Sequence, residues 1–147
     1  MRRDVGSLEG KIAFVTGAAR GQGRSHAVRL ATEGADVIAV DICETFDSMS
    51  YPLATPEDLA QTVKDVEALD RRIVARQGDV RSKSELKAVL EAGLAEFGRL
   101  DIVVANAGVT AMKSPTPAQA FIDGVDVDLQ GVLNTVAVTV PHLTEGA

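Results

Sequence analysis

Ile12-Ala13-Phe14-Val15-Thr16-Gly17-Ala18-Ala19-Arg20-Gly21-Gln22-Gly23 runs from a short apolar segment straight into a turn carrying three glycines. A buried strand, a glycine turn and a helix start, in that order, form the layout that receives a dinucleotide pyrophosphate. In this reading Gly17 lets the chain turn sharply and Gly21 lets the backbone approach the phosphates. Gly23 lets the new helix pack close to the strand. The first N–H groups of that helix face the pyrophosphate, with the positive end of the helix dipole behind them. The spacing is Gly-x-x-x-Gly-x-Gly rather than the common Gly-x-Gly-x-x-Gly. A glycine-rich turn alone is weak support for a ligand, so the companions downstream decide.

Working outward, strands and helices alternate. Lys11 to Thr16 reads as strand one, and Gln22 to Glu33 as a helix with Ala27, Leu30 and Ala31 on one face. Gly34 stands where a left-handed cap is expected, and Ala35 to Val40 is strand two. Thr55-Pro56-Glu57-Asp58 combines a hydroxyl cap, proline at the first helical position and early acids. The helix it opens runs to about Leu69 and offers Leu59, Val63 and Val66 to the core. Arg72 to Gln77 is a short third strand. Ser82-Lys83-Ser84-Glu85 has the form of a capping box; its helix lines up Leu86, Val89, Leu90, Gly93 and Phe97. Leu100 to Ala105 is strand four, and one long helix is predicted from about Ala118 to Leu143, weakened by Gly124 and Gly131. Strands joined by helices imply parallel pairing with right-handed crossovers. The fold class is α/β, a Rossmann-type doubly wound parallel sheet that ends after the fourth strand and its helix, all within one domain of residues 1–147.

The 147 residues, 46% of them hydrophobic, suffice for one globular core. A net charge of −6 with no basic cluster argues against nucleic acid. The single cysteine, Cys43, precludes an internal disulfide and suits a reducing cytoplasm. Arg2 and Arg3 are not followed by the apolar core of a signal peptide, and no apolar run is long enough to cross a bilayer. The expectation is therefore a soluble cytoplasmic protein with neither nucleic-acid nor membrane partner.

Asp41 ends strand two, 18 residues after Gly23. A carboxylate there accepts hydrogen bonds from both hydroxyls of an adenosine ribose, which selects NAD. The bland alternative is a solvated acid at a strand end, and the glycine loop at the expected distance outweighs it. Arg20 is a counter-signal, since an arginine in this loop suits the 2′-phosphate of NADP. Two unit charges ~4 Å apart near a surface repel by about 4 kcal/mol, whereas an exposed arginine pair returns about 0–1 kcal/mol. No second cation stands at Ile42 or Cys43, so NAD is the expected cofactor. Asp79, in Gly78-Asp79-Val80, sits at the carboxyl end of strand three, beside the crevice where open α/β sheets bind ligands. Two readings stand: an acceptor for the adenine amino group with Val80 on the ring, or a turn cap before the Ser82 helix. After strand four, Gly108 permits close backbone approach, Ala107 leaves room, and Asn106 can tie neighbouring loops together.

In order, Thr16 to Gly23, Asp41, Gly78-Asp79-Val80, Asn106-Ala107-Gly108 and Gly131 resemble the short-chain dehydrogenase/reductase family across nearly the whole chain. The run through Asp41-Ile42-Cys43, with a long segment before Thr55, is similar to the carveol-dehydrogenase-like branch. Relatives of that branch in mycofactocin-producing bacteria are thought to hold NAD tightly and pass electrons to another carrier. The resemblance implies that Arg20, Gln22, Asp41, Asp79, Val80, Asn106 and Gly108 line the NAD site. It also implies oxidation of a secondary alcohol or reduction of a ketone.

Two departures limit this. Where the family reads Val-Asn-Leu-x-Gly, with the asparagine in a proton relay, this chain reads Val127-Asp128-Leu129-Gln130-Gly131. Asn134 lies nearly two turns away and is no obvious substitute. The family's serine and Tyr-x-x-x-Lys are missing from these residues: Tyr51, the only tyrosine, is not followed by lysine four residues on. The expectation is the cofactor half of an NAD-dependent dehydrogenase, unable to turn over an alcohol by itself, with a small-molecule substrate only if the chain continues. Two other readings are a non-catalytic NAD-binding or interaction module and an S-adenosylmethionine methyltransferase; the glycine spacing and Asn106-Ala107-Gly108 favour dinucleotide over the latter. A homo-oligomer is expected, because the last helix would expose Val132, Val136 and Val140 beside an open sheet edge.

The remaining candidates read as structural. His26 and His142 are isolated, Asp123, Asp126 and Asp128 lack a calcium-loop pattern and suit a solvated helix face, and Cys43 has no cation beside it. No metal is expected. Ile42 to Thr55 is long for such a connection, and its Phe46, Met49 and Tyr51 either cover a bound adenosine or pack back on the sheet.

Overall fold

The computed structural model describes residues 6–143 and 145–147; Arg2 and Arg3 lie outside them. The elements alternate as β1 (Ile12–Thr16), α1 (Gly21–Thr32), β2 (Asp36–Asp41), α2 (Pro56–Glu67), β3 (Ile73–Gln77), α3 (Lys83–Phe97) and β4 (Ile102–Val104). They end in a helical run: α4 (Pro117–Gly124), a π-wound segment (Val125–Gln130), α5 (Gly131–Thr139) and a 3-10 turn (Val140–His142). Among the described residues the four strands are all parallel, in the order β3-β2-β1-β4, so the chain steps outward from β1 to β3 and then crosses back to place β4 on the other side. That reversal opens a crevice at the carboxyl ends of β1 and β4, the switch point at which open α/β sheets take ligands.

Successive strand residues point to opposite faces, and both faces are covered. Val15, Val37 and Ala39 pack with Ala27 and Ala31 of α1 and Leu59 and Val66 of α2. Phe14, Ile38 and Val40 pack on the other side with Leu86 and Leu90 of α3, Val127 and Val138. Strands buried on both faces explain why β1 and β2 are apolar runs rather than alternating ones. Each such residue contributes about 1.5–3 kcal/mol on burial.

The caps explain the boundaries. Thr55 Oγ1 accepts from Asp58 N and the Asp58 carboxylate accepts from Thr55 N, so α2 has a complete capping box. Gly34 follows α1 at φ 103° and Gly98 ends α3 at φ 77°. The box expected at Ser82 is half made. Ser82 Oγ accepts from Glu85 N, but the Ser82 N–H is already donated to the carbonyl of Asp79. The Glu85 carboxylate takes the free amide of Asp79 instead, at 2.8 Å.

Three expectations are corrected. The long helix from Ala118 is wound wider across Val125–Gln130, a form that recurs where a helix is re-aimed at a site. A Cβ at Gly131 would lie 2.6 Å from Val80 Cγ2, so the helix resumes there pressed onto the end of β3. On α2 the buried position is Thr62 rather than Val63, which is only half-buried. Asp123, expected on a solvated face, is buried.

Candidate functional site

At the carboxyl end of the sheet lies a cavity of about 360 Å³, within the usual range for small-molecule sites. Gly17, Arg20, Gly21, Gln22 and Gly23 line it from the first turn. Asp41 enters from β2, Asp79 and Val80 from the end of β3, and Asn106, Ala107 and Gly108 from the end of β4. All eleven residues singled out in the sequence reach this one space.

The turn after β1 is shaped for an anion. Arg20 is the N-cap of α1, makes no side-chain cap, and the first turn contains no acid, so its leading amides have no carboxylate partner. Gly21 has φ 56° with nothing within 4 Å of where a Cβ would be, which leaves the backbone bare towards the cavity. Gly23 shows the opposite need: a Cβ there would sit 1.9 Å from the carbonyl oxygen of Gly17. Free amides, a bare backbone and the positive end of α1 are the features that hold a phosphate.

Asn106 does tie the loops together. Its Nδ2 donates to the carbonyls of Thr16 and Gly17 at 3.0 and 3.3 Å, while Thr16 Oγ1 accepts from the amides of Asn106 and Ala107. Asp41 is buried, with Oδ2 accepting from Ala19 N at 3.0 Å and Oδ1 from Cys43 N at 3.2 Å. Asp79 builds the turn: Oδ1 accepts from Arg81 N at 2.9 Å, and its carboxylate pairs with the Arg81 guanidinium at 2.6 Å. It lines the cavity at the same time, so capping does not remove it from the site. Arg20 lines the cavity and donates to the carbonyl of Pro52 at 2.8 Å.

That bond belongs to a clasp formed by the long segment after β2, whose polar partners the sequence does not reveal. From residues 42–55, Ile42, Phe46, Leu53 and Ala54 line the cavity. Tyr51 Oη accepts from Thr110 N, Ser50 Oγ donates to the carbonyl of Met112, and Ser48 Oγ donates to the Asp123 carboxylate. The Arg81 guanidinium stacks on Phe46 at 4.4 Å. The Ser48 bond, joined by Gln119 and Arg81, holds the Asp123 carboxyl below the usual carboxylate range against the opposing effect of burial. A lowered folded pKa means this contribution is present above the usual carboxylate pKa and lost as pH falls through the lowered value. Of the two readings of this segment, Phe46 faces the cavity and Met49 is buried.

Asp128 does not line the cavity. It lies in the π segment, where Oδ1 accepts from Val109 N at 2.8 Å, beside a shallow hollow lined by Val109, Thr110, Phe121 and Leu129. Asn134 is buried and donates to the carbonyls of Val80 and Arg81, bracing α5 against the end of β3. Burial, then the Asp41 carboxylate, pushes the Cys43 thiol up to about 11, so it is no nucleophile at neutral pH. His26 and His142 are exposed and far apart in the chain, and among the described residues no helix is long and apolar enough to cross a membrane.

A family model described as short chain dehydrogenase matches residues 11–147. The chain is 59% identical over 138 residues to an uncharacterized oxidoreductase of Mycobacterium tuberculosis, covering 94% of this chain and 50% of that protein. It is 45% identical over 142 residues to (-)-trans-carveol dehydrogenase of Rhodococcus erythropolis, covering 95% and 51%. Among solved structures, a carveol dehydrogenase from Mycobacterium avium in complex with NAD superposes with a TM-score of 0.86 at 52% identity, covering 94% of this chain and 51% of that one. A short chain dehydrogenase from Mycobacterium paratuberculosis bound to NAD gives 0.89 at 51% identity, covering 96% and 53%. The chain spans about half the length of the curated relatives it matches.

Proposed function

The chain belongs to the short chain dehydrogenase family, and on that premise we propose that its cavity binds NAD for hydride transfer between NAD and a secondary alcohol or ketone. The observation that carries this is the pairing of an uncapped helix start with the Asp41 carboxylate across one cavity. The α1 amides would receive the pyrophosphate, and Asp41 the two hydroxyls of the adenosine ribose. Asp79 and Val80 would form the adenine end, and Asn106 to Gly108 would hold the loop against the far half of the dinucleotide. Bound there, NAD supplies the hydride acceptor; the chain's own residues bind and orient it. Calorimetric titration with NAD and NADP tests the reading, and a preference for NADP would overturn it.

A second reading, NAD binding without catalysis by these residues, is favoured by one observation. The only tyrosine, Tyr51, accepts from Thr110 N in the clasp and is not followed by lysine four residues on. The family's acid/base pair is therefore not among residues 1–147. Absorbance assays over secondary alcohols and ketones separate the two: binding without hydride transfer favours the second.

In this reading residues 42–55 are a cover over the adenosine. Bound NAD is expected to slow amide hydrogen exchange across the segment, most at Phe46 and Leu53, which face the cavity. Equal exchange with and without NAD would leave the segment as packing alone.

We also propose that the chain self-associates in a reducing cytoplasm through the helical run after β4. Phe121, Ile122, Val125, Leu129, Leu133, Val136 and Val140 are all exposed, at helical spacing along α4, the π segment and α5. Val132, expected in this ridge, is half-buried, and Leu133 takes its place. A contiguous apolar ridge of this kind favours pairing with another copy. Static light scattering at micromolar concentration is expected to give more than the monomer mass; a clean monomer would count against it.

A further inference from the structure

We infer that Thr62, set by Arg24, aims the Asp41 carboxylate and thereby tunes the choice between a ribose diol and a ribose phosphate. The inference rests on the dinucleotide reading of the cavity, but neither residue lines it. Thr62 lies on the core face of α2, where an apolar residue would be expected, and is fully buried. Its Oγ1 accepts from Arg24 Nε at 3.0 Å. A hydroxyl has one proton; with the guanidinium donating into it, that proton has three carbonyls within reach, those of Ala18 at 2.9 Å, Ala19 at 3.1 Å and Asp58 at 3.4 Å, and Ala18 is the shortest.

The peptide between Ala18 and Ala19 transmits this to the site. In a trans planar peptide the C=O and N–H point in opposite directions. Anchoring the Ala18 oxygen on Thr62 therefore directs the Ala19 N–H at Asp41 Oδ2, 3.0 Å away. The next carbonyl, that of Ala19, is gripped by Arg24 Nε at 3.1 Å and Nη2 at 2.6 Å. Arg24 is itself tied to the first turn of α2 through the carbonyl of Asp58 at 2.8 Å. With Cys43 N on Oδ1, both carboxylate oxygens are held and their remaining lone pairs are left for the cavity.

Aim matters unequally to the two ligands. Hydrogen bonds from ribose hydroxyls are directional and weaken steeply when misaligned. Repulsion of a phosphate depends on distance and the local dielectric, not on alignment. Loosening Asp41 without removing its charge should thus weaken NAD and leave NADP almost unchanged. Thr62 is a positioning residue for binding, acting through Asp41.

The test compares Thr62→Val, which keeps the shape and removes the hydroxyl, with Thr62→Ser, which keeps the hydroxyl, and with Arg24→Met. Titrations with NAD and NADP are paired with amide exchange at Ala19 in the ligand-free protein. Thr62→Val is expected to weaken NAD about tenfold and NADP by less than about threefold, the scale of one hydrogen bond; Arg24→Met also removes a cation, so it is read by exchange at Ala19. Exchange at Ala19 should quicken in both, and Thr62→Ser should restore the wild-type values. An equal loss for both dinucleotides in Thr62→Val, or none, would overturn the inference. If the wild type binds neither dinucleotide, the cofactor reading fails separately. The exchange arm then decides the positioning role: faster exchange in Thr62→Val but not in Thr62→Ser sustains it, and unchanged exchange refutes it.

Discussion

Gly23→Ala is expected to remove measurable NAD binding and to destabilise the fold by about 3 kcal/mol. The added methyl would lie 1.9 Å from the carbonyl oxygen of Gly17, 2.6 Å from its carbon and 2.7 Å from Asn106 Nδ2. Two of these atoms are backbone in the tightest turn of the site, so no rotamer change relieves the clash. The start of α1 must shift instead, carrying its free amides off the phosphate position and pulling Asn106 from the carbonyls of Thr16 and Gly17. Gly93→Ala is the control. Its methyl would meet the Ile38 side chain at 2.3 Å (Cδ1), 2.5 Å (Cγ1) and 2.9 Å (Cγ2), on the face packed against α3, and Ile38 does not line the cavity. It should lower stability and leave NAD affinity unchanged. Urea unfolding and calorimetry read both quantities; wild-type NAD affinity in a folded Gly23→Ala protein would show that the turn does not carry the pyrophosphate.

Asp41→Ala is expected to weaken NAD by about 10- to 100-fold, the scale of losing hydrogen bonds to a charged acceptor. It should bind NADP more tightly than the wild type does, because the carboxylate that repels a 2′-phosphate is gone. The two affinities therefore converge from both sides. This differs from Thr62→Val, where the charge stays and only the NAD side moves. The substitution also frees the amides of Ala19 and Cys43, which Asp41 now holds. Asp41→Asn separates these effects: it keeps one carbonyl acceptor for a backbone amide while losing the charge. An unchanged ratio of NAD to NADP affinity in Asp41→Ala would place discrimination elsewhere in the cavity.

Much of the frame is legible along the chain because it depends on near neighbours. The apolar run before Gly17 marks β1, Thr55-Pro56 marks the start of α2, and Gly34 marks the end of α1. Each signal is a cap, a turn or a period that a few residues complete by themselves. The spacing from the glycine turn to Asp41 and on to Asn106 is readable too, because parallel strands joined by helices bring successive carboxyl ends to one edge.

The partners of polar side chains were decided by the tertiary structure. Arg20 bonds the carbonyl of Pro52, 32 residues on, and Asp123 is buried against Ser48, 75 residues earlier in the chain. Glu85 turns to Asp79 because the Ser82 amide is already taken. Thr62 reads as a slightly poor helix residue until α2 is laid beside α1, where its hydroxyl meets Arg24 and the carbonyl of Ala18. The sequence by itself determined the order of strands and helices, the glycine turn and the acid after the second strand, since hydrophobic period and caps act within a few residues. The clasp of residues 42–55, the aim of Asp41 and the wide turn around Asp128 were settled only when the order β3-β2-β1-β4 brought distant segments together. A buried donor must find its acceptor among whatever groups the packed elements place within about 3 Å.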